Sequence, residues 1–223
     1  MRPSALITGG SRGVGAAIAR ELAPSHDLLL GGRRAESLRA ICAELPQAAP
    51  WPVDLLDHAA VAAACSGIDR LDVLVHSAGL AELGTIADGG IAQWREMFEA
   101  NVVAVVELTR LLLPALRAAN GHVVLLNSGA GLNARAGWGA YAASKFALRA
   151  FADVLRQEEP ALRVTSVHPG RIDTDMQRAI VASEGRTYEP ERFLKASTVA
   201  LAVGQAVRTP VDAHPTEIVL RPR

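Results

Sequence analysis

Short apolar segments alternate with longer helical segments along the whole chain, and this alternation restricts the fold more than any other feature of the sequence. Runs rich in leucine and β-branched residues, such as 71–76 and 122–127, are followed by stretches of alanine, leucine and arginine with helical periodicity. Such an alternation is typical of βαβ units, in which helices join parallel strands. The sequence therefore predicts an α/β fold.

Seven segments have the composition of strands, namely 5–8, 27–31, 51–53, 71–76, 122–127, 163–168 and 217–220. The central ones are apolar at nearly every position, which indicates that helices cover both faces of the sheet. We expect a Rossmann-type, doubly wound sheet of seven parallel strands flanked by helices on both faces. Neither a repeat nor a linker divides the 223 residues, so a single domain, 1–223, is predicted.

Residues 171–197 are the least regularly patterned part of the chain, with Gly185, Pro190 and charges of both signs. This stretch follows the sixth predicted strand. In a doubly wound fold, an excursion after the carboxyl end of a strand lies over the ligand crevice. We expect the stretch to form a mobile substrate lid.

The charge balance argues against several classes of partner. The 23 basic residues equal the 23 acidic ones, and neither sign forms a long run. Neither a nucleic acid nor an anionic membrane surface is therefore expected as a partner, whereas a small neutral or anionic ligand is.

The cysteines and histidines do not indicate a metal site. Cys42 and Cys65 lie in separate helical segments without ligand spacing, and His76, His122 and His168 are spaced as structural residues near strand ends. No metal is expected. With no apolar signal segment before the first strand and no stretch able to span a bilayer, we expect a cytoplasmic protein with free thiols.

A glycine-rich loop follows the first strand and opens the first helix. Its glycines match three needs of a dinucleotide site: a tight turn at Gly9, close approach of a pyrophosphate at Gly13, and close helix packing at Gly15. Taken alone, the loop could also be an ordinary strand-to-helix turn. The candidate cofactor-binding residues in this loop are Thr8, Gly9, Ser11, Arg12, Gly13, Val14 and Gly15.

The end of the second strand indicates which dinucleotide would bind. It reads Gly31-Gly32-Arg33-Arg34, without the carboxylate that would bind an adenosine ribose diol. Arg33 and Arg12 could instead bind a 2′-phosphate, so NADP(H) is favoured over NAD(H). Both arginines could also be merely solvated. Asp54 could accept from the adenine amine or could cap the helix that starts near Asp57.

Tyr141 and Lys145 form the clearest candidate catalytic pair. They are four residues apart in a helical segment, and the chain contains only two tyrosines and two lysines. Residues i and i+4 share a helix face, so the ammonium is expected to lower the tyrosine pKa from about 10 toward neutrality. A tyrosine tuned in this way can transfer a proton at working pH.

Together these motifs resemble the short-chain dehydrogenase/reductase family over about residues 4–220. The family's Thr-Gly-x-x-x-Gly-x-Gly loop matches residues 8–15, and its Asn-Asn-Ala-Gly segment corresponds to His76-Ser77-Ala78-Gly79, with both asparagines replaced. The other matching positions are Asn101, Ser128, the Pro169-Gly170 turn and Thr174.

The resemblance implies roles for these residues. Ser128 would hold the substrate oxygen, Tyr141 would donate the proton, and Lys145 would bind the nicotinamide ribose. Asn101 would hold a water that reprotonates Lys145. Further cofactor contacts are implied for Ala78, Gly79, Pro169, Gly170 and Thr174, the last of which would hold the nicotinamide carboxamide.

The sequence therefore predicts an NADPH-dependent carbonyl reductase, or the reverse alcohol dehydrogenase, for a small or medium apolar substrate. Two alternatives remain open: an NAD-dependent alcohol dehydrogenase of the same fold, and a regulatory protein that senses NADPH without turnover. By analogy with similar proteins, apolar faces on the helices near 101–117 and 142–157 would form a homodimer or homotetramer.

Overall fold

In the computed structural model, which describes residues 2–223, seven parallel strands form one sheet in the order β3-β2-β1-β4-β5-β6-β7. The predicted Rossmann-type sheet is confirmed. The strands are β1 Ser4–Ile7, β2 Asp27–Gly32, β3 Ala48–Pro52, β4 Val73–His76, β5 His122–Leu126, β6 Arg163–Pro169 and β7 Glu217–Leu220.

Eight α-helices connect the strands within the described residues: α1 Gly13–Leu22, α2 Ala35–Glu44, α3 His58–Cys65, α4 Ile91–Phe98, α5 Ala104–Ala119, α6 Gly139–Glu158, α7 Asp175–Ser183 and α8 Ala196–Arg208. A π-helical turn, Glu99–Val103, joins α4 to α5, and a 3-10 turn, Gly129–Gly131, follows β5. None of the helices described within residues 2–223 combines the length and apolar character needed to span a bilayer.

The alternation of side chains along each strand divides the core into two layers. In β1, Ala5 and Ile7 face a cluster formed with α1, α2 and α8, whereas Leu6 faces a second cluster formed with α3, α5 and α6. All three residues are fully buried. Helices therefore cover both faces of the central strands, as their continuous apolar sequence predicts.

Two segments differ most from the sequence-based prediction. The strand β3 begins at Ala48, whereas the prediction began at residue 51. Pro50 and Pro52 made this segment look unlike a strand, but an edge strand tolerates proline. The stretch 171–197 contains a full helix, α7, capped by the Thr174 hydroxyl, which accepts from the Gln177 N–H at 3.3 Å. This stretch is thus more regular than its mixed composition suggests.

The strand order reverses between β1 and β4, which are neighbours in the sheet although β2 and β3 lie between them in sequence. The loops that leave these two strands therefore run to opposite sides. Doubly wound sheets bind ligands in the crevice that opens at such a point, outside the carboxyl ends of the strands.

Two fully buried histidines, His76 on β4 and His122 on β5, are neutral because burial disfavours the charged form of the ring. The Nε2 atoms of His76 and His122 lie 2.8 Å from the hydroxyls of Thr109 and Thr165, respectively. Burial lowers the pKa of each to about 3. In each ring Nδ1 has no hydrogen-bond partner among residues 2–223. Protonation of either ring would therefore place an uncompensated charge in the core.

This burial predicts a loss of stability in mild acid. Because the folded pKa lies below the unfolded value of about 6.5, the unfolded chain binds more protons between pH 6.5 and 3. Each histidine should therefore cost about 2 kcal/mol of unfolding free energy between pH 7 and pH 5. Urea unfolding at the two pH values measures this loss.

The variant His122→Asn should reduce the pH-dependent loss, because it removes one of the two buried imidazoles. An equal loss in His122→Asn and in the wild-type protein would contradict the assignment.

Candidate active site

The carboxyl ends of the strands open into one cavity of about 1240 Å³. The glycine loop and the segments after β4, β5 and β6 line it, together with the first turns of α6 and α7. Pockets for one small ligand usually measure about 300–1,000 Å³. The cavity therefore has room for a large cofactor and a second molecule beside it.

The glycine loop presents free backbone N–H groups to the cavity. Gly9 and Gly13 have φ values of +65° and +56°, which only glycine adopts without strain. No side chain caps the start of α1, where Gly13, Val14 and Gly15 line the cavity. Unpaired N–H groups at a helix start bind anions such as a pyrophosphate.

The loop after β4 is fixed to the glycine loop by Thr8. Its buried hydroxyl accepts hydrogen bonds from the N–H groups of Ser77 and Ala78, both at 3.1 Å. Thr8 does not line the cavity, although the sequence analysis placed it among the cofactor-binding residues. In this structure Thr8 brings together two loops, of which Ala78 and Gly79 line the cavity.

Asn101 fixes the same loop from the other side. It lies in the π-helical turn, 1% exposed, and its Oδ1 accepts from the Leu80 N–H at 2.8 Å. Its Nδ2 donates to the Leu80 carbonyl and to the Ser144 hydroxyl, both at 3.0 Å. These bonds hold the loop in place although His76 and Ser77 replace the family's asparagines. Asn101 itself does not line the cavity.

Ser128, Tyr141 and Lys145 all line the cavity. Ser128 follows β5, and its Oγ accepts from the Ala130 N–H at 3.1 Å, which leaves the hydroxyl proton free to be donated. Tyr141 lies in the first turn of α6, and Lys145 lies one turn later. The Lys145 Nζ is 5.9 Å from the centre of the Tyr141 ring and donates to the Leu126 carbonyl at 3.0 Å.

The electrostatics of this pair differ from the sequence-based expectation. Burial raises the pKa of Tyr141 above its usual value, and the nearby Ser128 hydroxyl only partly opposes this shift. The predicted fall of the Tyr141 pKa from about 10 toward neutrality is therefore wrong for the chain without a ligand. Burial also lowers the pKa of Lys145 to about 8, so that its ammonium persists at neutral pH.

His168 supports the segment that carries Ser128. The histidine is fully buried, and its Nδ1 lies 3.1 Å from the Ser128 backbone carbonyl, while its Nε2 lies 3.8 Å from Glu217. Burial lowers its pKa. Because the ring contacts the carbonyl and not the hydroxyl, this Ser-His-Glu arrangement does not activate Ser128 as a nucleophile.

Three arginines line the cavity around the end of β2 and the glycine loop: Arg12, Arg33 and Arg34. Arg12 forms an exposed ion pair with Asp175 at 3.4 Å, whereas Arg33 and Arg34 have no ion pair among residues 2–223. Arg34 was not singled out in the sequence analysis.

The side chain that caps α3 is Asp57 and not Asp54. Asp54 instead lines the cavity.

Two buried amides lining the cavity lack partners for their N–H groups among the described residues. They are Nδ2 of Asn127 and Nε2 of Gln177, each 5% exposed. Thr174, Pro169 and Gly170 also line the cavity, and Thr174 lies against Gly13. The free helix N–H groups and the unpaired guanidinium groups together fit a dinucleotide rich in phosphate oxygens.

Sequence reasoning missed both amides because an unpaired donor is recognised only from the surroundings of a side chain.

Within residues 2–223, no group of three or more histidine, cysteine, aspartate or glutamate side chains is arranged to hold a metal ion.

Comparison with known proteins shows the same fold and family. The family model described as short chain dehydrogenase matches residues 3–185. The chicken dehydrogenase/reductase SDR family member 11 is 31% identical over 98% of this chain and 95% of its own length.

Two solved structures are also similar over nearly the full chain. An alcohol dehydrogenase from Thermococcus sibiricus, complexed with 5-hydroxy-NADP, is 28% identical with a TM-score of 0.90, over 99% of this chain and 96% of its own. A short chain dehydrogenase from Shigella flexneri, complexed with NADP, is 27% identical with a TM-score of 0.88. The similarity covers 98% of this chain and 96% of that one. The chain belongs to the short-chain dehydrogenase/reductase family of oxidoreductases.

Proposed function

We propose that this protein is an NADP(H)-dependent oxidoreductase that interconverts a carbonyl compound and its alcohol. The observation that carries this proposal is the presence of Ser128, Tyr141 and Lys145 on one cavity with the free N–H groups of the glycine loop. A protein that only bound the cofactor would need no proton donor beside an ammonium.

Residues of the glycine loop and the Pro169-Gly170 turn would hold NADPH, which would supply the hydride for reduction of a carbonyl group. Ser128 donates its free hydroxyl proton in a hydrogen bond to the carbonyl oxygen and so fixes its position. Tyr141 transfers its phenolic proton to the same oxygen as the alcohol forms. Lys145 stabilises the resulting phenolate, because its ammonium persists at neutral pH beside the ring.

The choice of NADP(H) rests on the unpaired guanidinium groups of Arg33 and Arg34. They line the end of the cavity where the glycine loop meets β2, and a 2′-phosphate would provide both with a charged partner. Asp54 would accept from the adenine amine. The similar alcohol dehydrogenase from Thermococcus sibiricus is complexed with 5-hydroxy-NADP, which supports the same choice.

We further propose that residues 171–197 act as a substrate lid over the single domain. The segment borders the cavity through Ile172, Thr174 and Met176, and the exposed ion pair between Asp175 and Arg12 joins it to the glycine loop. An exposed pair of this kind stabilises a structure by at most about 1 kcal/mol, so it would not prevent opening.

A homodimer is proposed through the exposed face of α5 and α6. Val106, Phe146 and Val154 on these helices are large apolar residues that are between 37% and 48% exposed. An isologous contact between two copies would bury this surface.

The first prediction from this proposal concerns Tyr141. Tyr141→Phe removes the proton donor and should lower kcat for NADPH-dependent reduction about 10²- to 10⁴-fold, with little change in NADPH affinity. Stopped-flow or steady-state NADPH oxidation with a panel of aldehydes and ketones measures the rate. Ser66→Ala is the control, because it removes an exposed hydroxyl at the end of α3, outside the cavity, and it should keep nearly full activity.

A Tyr141→Phe rate within about threefold of the wild-type rate would contradict the proposed mechanism. NADPH binding without turnover of any carbonyl in the panel would instead favour the sensor alternative.

The second prediction concerns cofactor choice. Arg33→Glu replaces a phosphate-binding group by a carboxylate that repels it, so NADPH affinity should fall about 10- to 100-fold while NADH affinity stays the same or rises. Fluorescence titration with both cofactors measures the change. The exposed Arg39→Glu, on α2 outside the cavity, is the charge-matched control. Unchanged NADPH affinity in Arg33→Glu would favour the NAD-dependent alternative.

A further inference from the structure

The cavity is strongly basic although the whole chain carries no net charge. Seven arginines and Lys145 line it, against two acidic residues, Asp54 and Asp175, whereas the complete sequence has 23 basic and 23 acidic residues. The imbalance therefore belongs to the cavity and not to the composition of the protein.

A dinucleotide explains only part of this basic lining. Arg12, Arg33 and Arg34 lie at the glycine loop and β2, the end at which the cofactor phosphates would bind. Both acidic residues lie on that side as well, since Asp175 pairs with Arg12 and Asp54 follows β3. Four more arginines border the cavity from other segments: Arg135, Arg171, Arg192 and Arg221.

Arg171 is connected to the proposed proton donor by an aromatic side chain. Its Cζ lies 5.8 Å from the centre of the Trp138 ring, and the Trp138 and Tyr141 ring centres are also 5.8 Å apart. All three side chains line the cavity. Arg171 and Tyr141 therefore neighbour the same indole on one cavity, and a molecule whose carbonyl oxygen meets Tyr141 can extend along the cavity to the guanidinium.

The acidic residues around these arginines compensate only part of the positive charge, because Glu184, the partner of Arg171, also lies 3.8 Å from Arg186. Arg171 pairs with Glu184, and the largely exposed Arg192 pairs with Glu189 at 3.2 Å. Within residues 2–223, Arg135 has no ion pair, and Arg221 donates only to the carbonyls of His168 and Leu220.

Arg171 also keeps donors for a ligand. A guanidinium has five N–H donors, and Arg171 donates to Glu184 through only one of its nitrogens. Its side chain is 25% exposed, so a ligand in the cavity can reach it while much of the group stays shielded from water. A planar guanidinium in such a position suits the two oxygens of an oxyanion.

We propose that the substrate carries an oxyanion, a carboxylate or a phosphate, in addition to its carbonyl group, and that Arg171 binds this oxyanion beside Trp138. This inference rests on the proposed function, since it places the reacting carbonyl at Tyr141. It replaces the apolar substrate expected from the sequence. The oxyanion takes no part in the chemistry; the reaction remains the reduction of an oxo acid or oxo phosphate to the corresponding hydroxy compound.

Three exposed arginines should also attract an anionic substrate to the cavity from a distance: Arg135, Arg192 and Arg221. A cavity mouth of one charge sign attracts oppositely charged ligands and raises their association rate, and salt screens this attraction. The kcat/KM for an anionic substrate should therefore fall as ionic strength rises from about 0.01 to 0.5 M, whereas that for a neutral analogue should not.

Matched pairs of substrates test the proposal directly. The kcat/KM values are measured with NADPH for 3-oxobutanoate, 4-oxopentanoate and 5-oxohexanoate and for their methyl esters, and for dihydroxyacetone phosphate and dihydroxyacetone. The anion should be preferred by about 10- to 100-fold in at least one pair. The carboxylate series and the phosphate pair distinguish the two sources of the oxyanion.

Arg171→Gln should reduce this anion-to-neutral ratio about tenfold or more, whereas Arg39→Gln, on the exposed surface of α2 outside the cavity, should leave it unchanged. NADPH affinity, measured in parallel, shows whether Arg171→Gln has disturbed the cofactor end. The ratio is measured in the unmodified protein as well, so the test does not depend on the folding of a variant.

Calorimetry with unreactive pentanoate and its methyl ester separates this inference from the proposed function. Pentanoate binding that is weakened in Arg171→Gln, without turnover of any carbonyl, would support the oxyanion site and contradict the reductase. Turnover of neutral carbonyls at least as efficient as that of every matched anion would support the reductase and overturn the oxyanion site. The absence of both turnover and pentanoate binding would overturn both proposals.

Discussion

The close approach of the loops after β1 and β4 is the constraint on which the site depends. The Thr8 hydroxyl accepts from two N–H groups of the β4 loop, and a Cβ on Gly9 would lie only 3.0 Å from the backbone of Ala78. Asn101 holds the same loop from the opposite side through Leu80. With both loops fixed, the free N–H groups of α1 and the side chains on β5 and α6 border a single cavity. The pyrophosphate and reacting ends of a dinucleotide site are thereby set at a defined separation.

Burial determines the electrostatics of the reacting groups. It raises the pKa of Tyr141 and lowers that of Lys145, since each charged form loses water. The ligand-free site therefore holds the tyrosine in its protonated form, which is the form that a reduction needs. The phenolate becomes favourable only where additional positive charge is present. The basic lining of the cavity opposes this effect of burial, because positive charge favours the phenolate as well as anionic ligands.

The sequence was sufficient for the sheet and for the residues brought to the cavity by their order along the strands. Continuous apolar runs in β4 and β5 require cover on both faces, and the loops that follow parallel strands must meet at one edge. Properties that depend on neighbours distant in sequence were not predictable. The proline-rich edge strand β3 is defined only by its pairing with β2. The helix α7 was hidden by mixed charges. The pKa of Tyr141 depends on burial, which a spacing of four residues does not reveal. The position of Arg171 over Trp138 could not be predicted either, because the two residues are far apart in the sequence.

The most direct test of the account is the pKa of Tyr141 with and without the oxidised cofactor. Because the chain has only two tyrosines, ¹³C-labelled tyrosine in a Tyr188→Phe background gives a single Cζ resonance whose shift reports ionisation. The free protein should show a Tyr141 pKa above the usual value of about 10, and bound NADP⁺ should lower it clearly, because its positively charged ring adds to the ammonium of Lys145. A pKa that is unchanged or higher in the complex would contradict the assignment of Tyr141 as the proton donor.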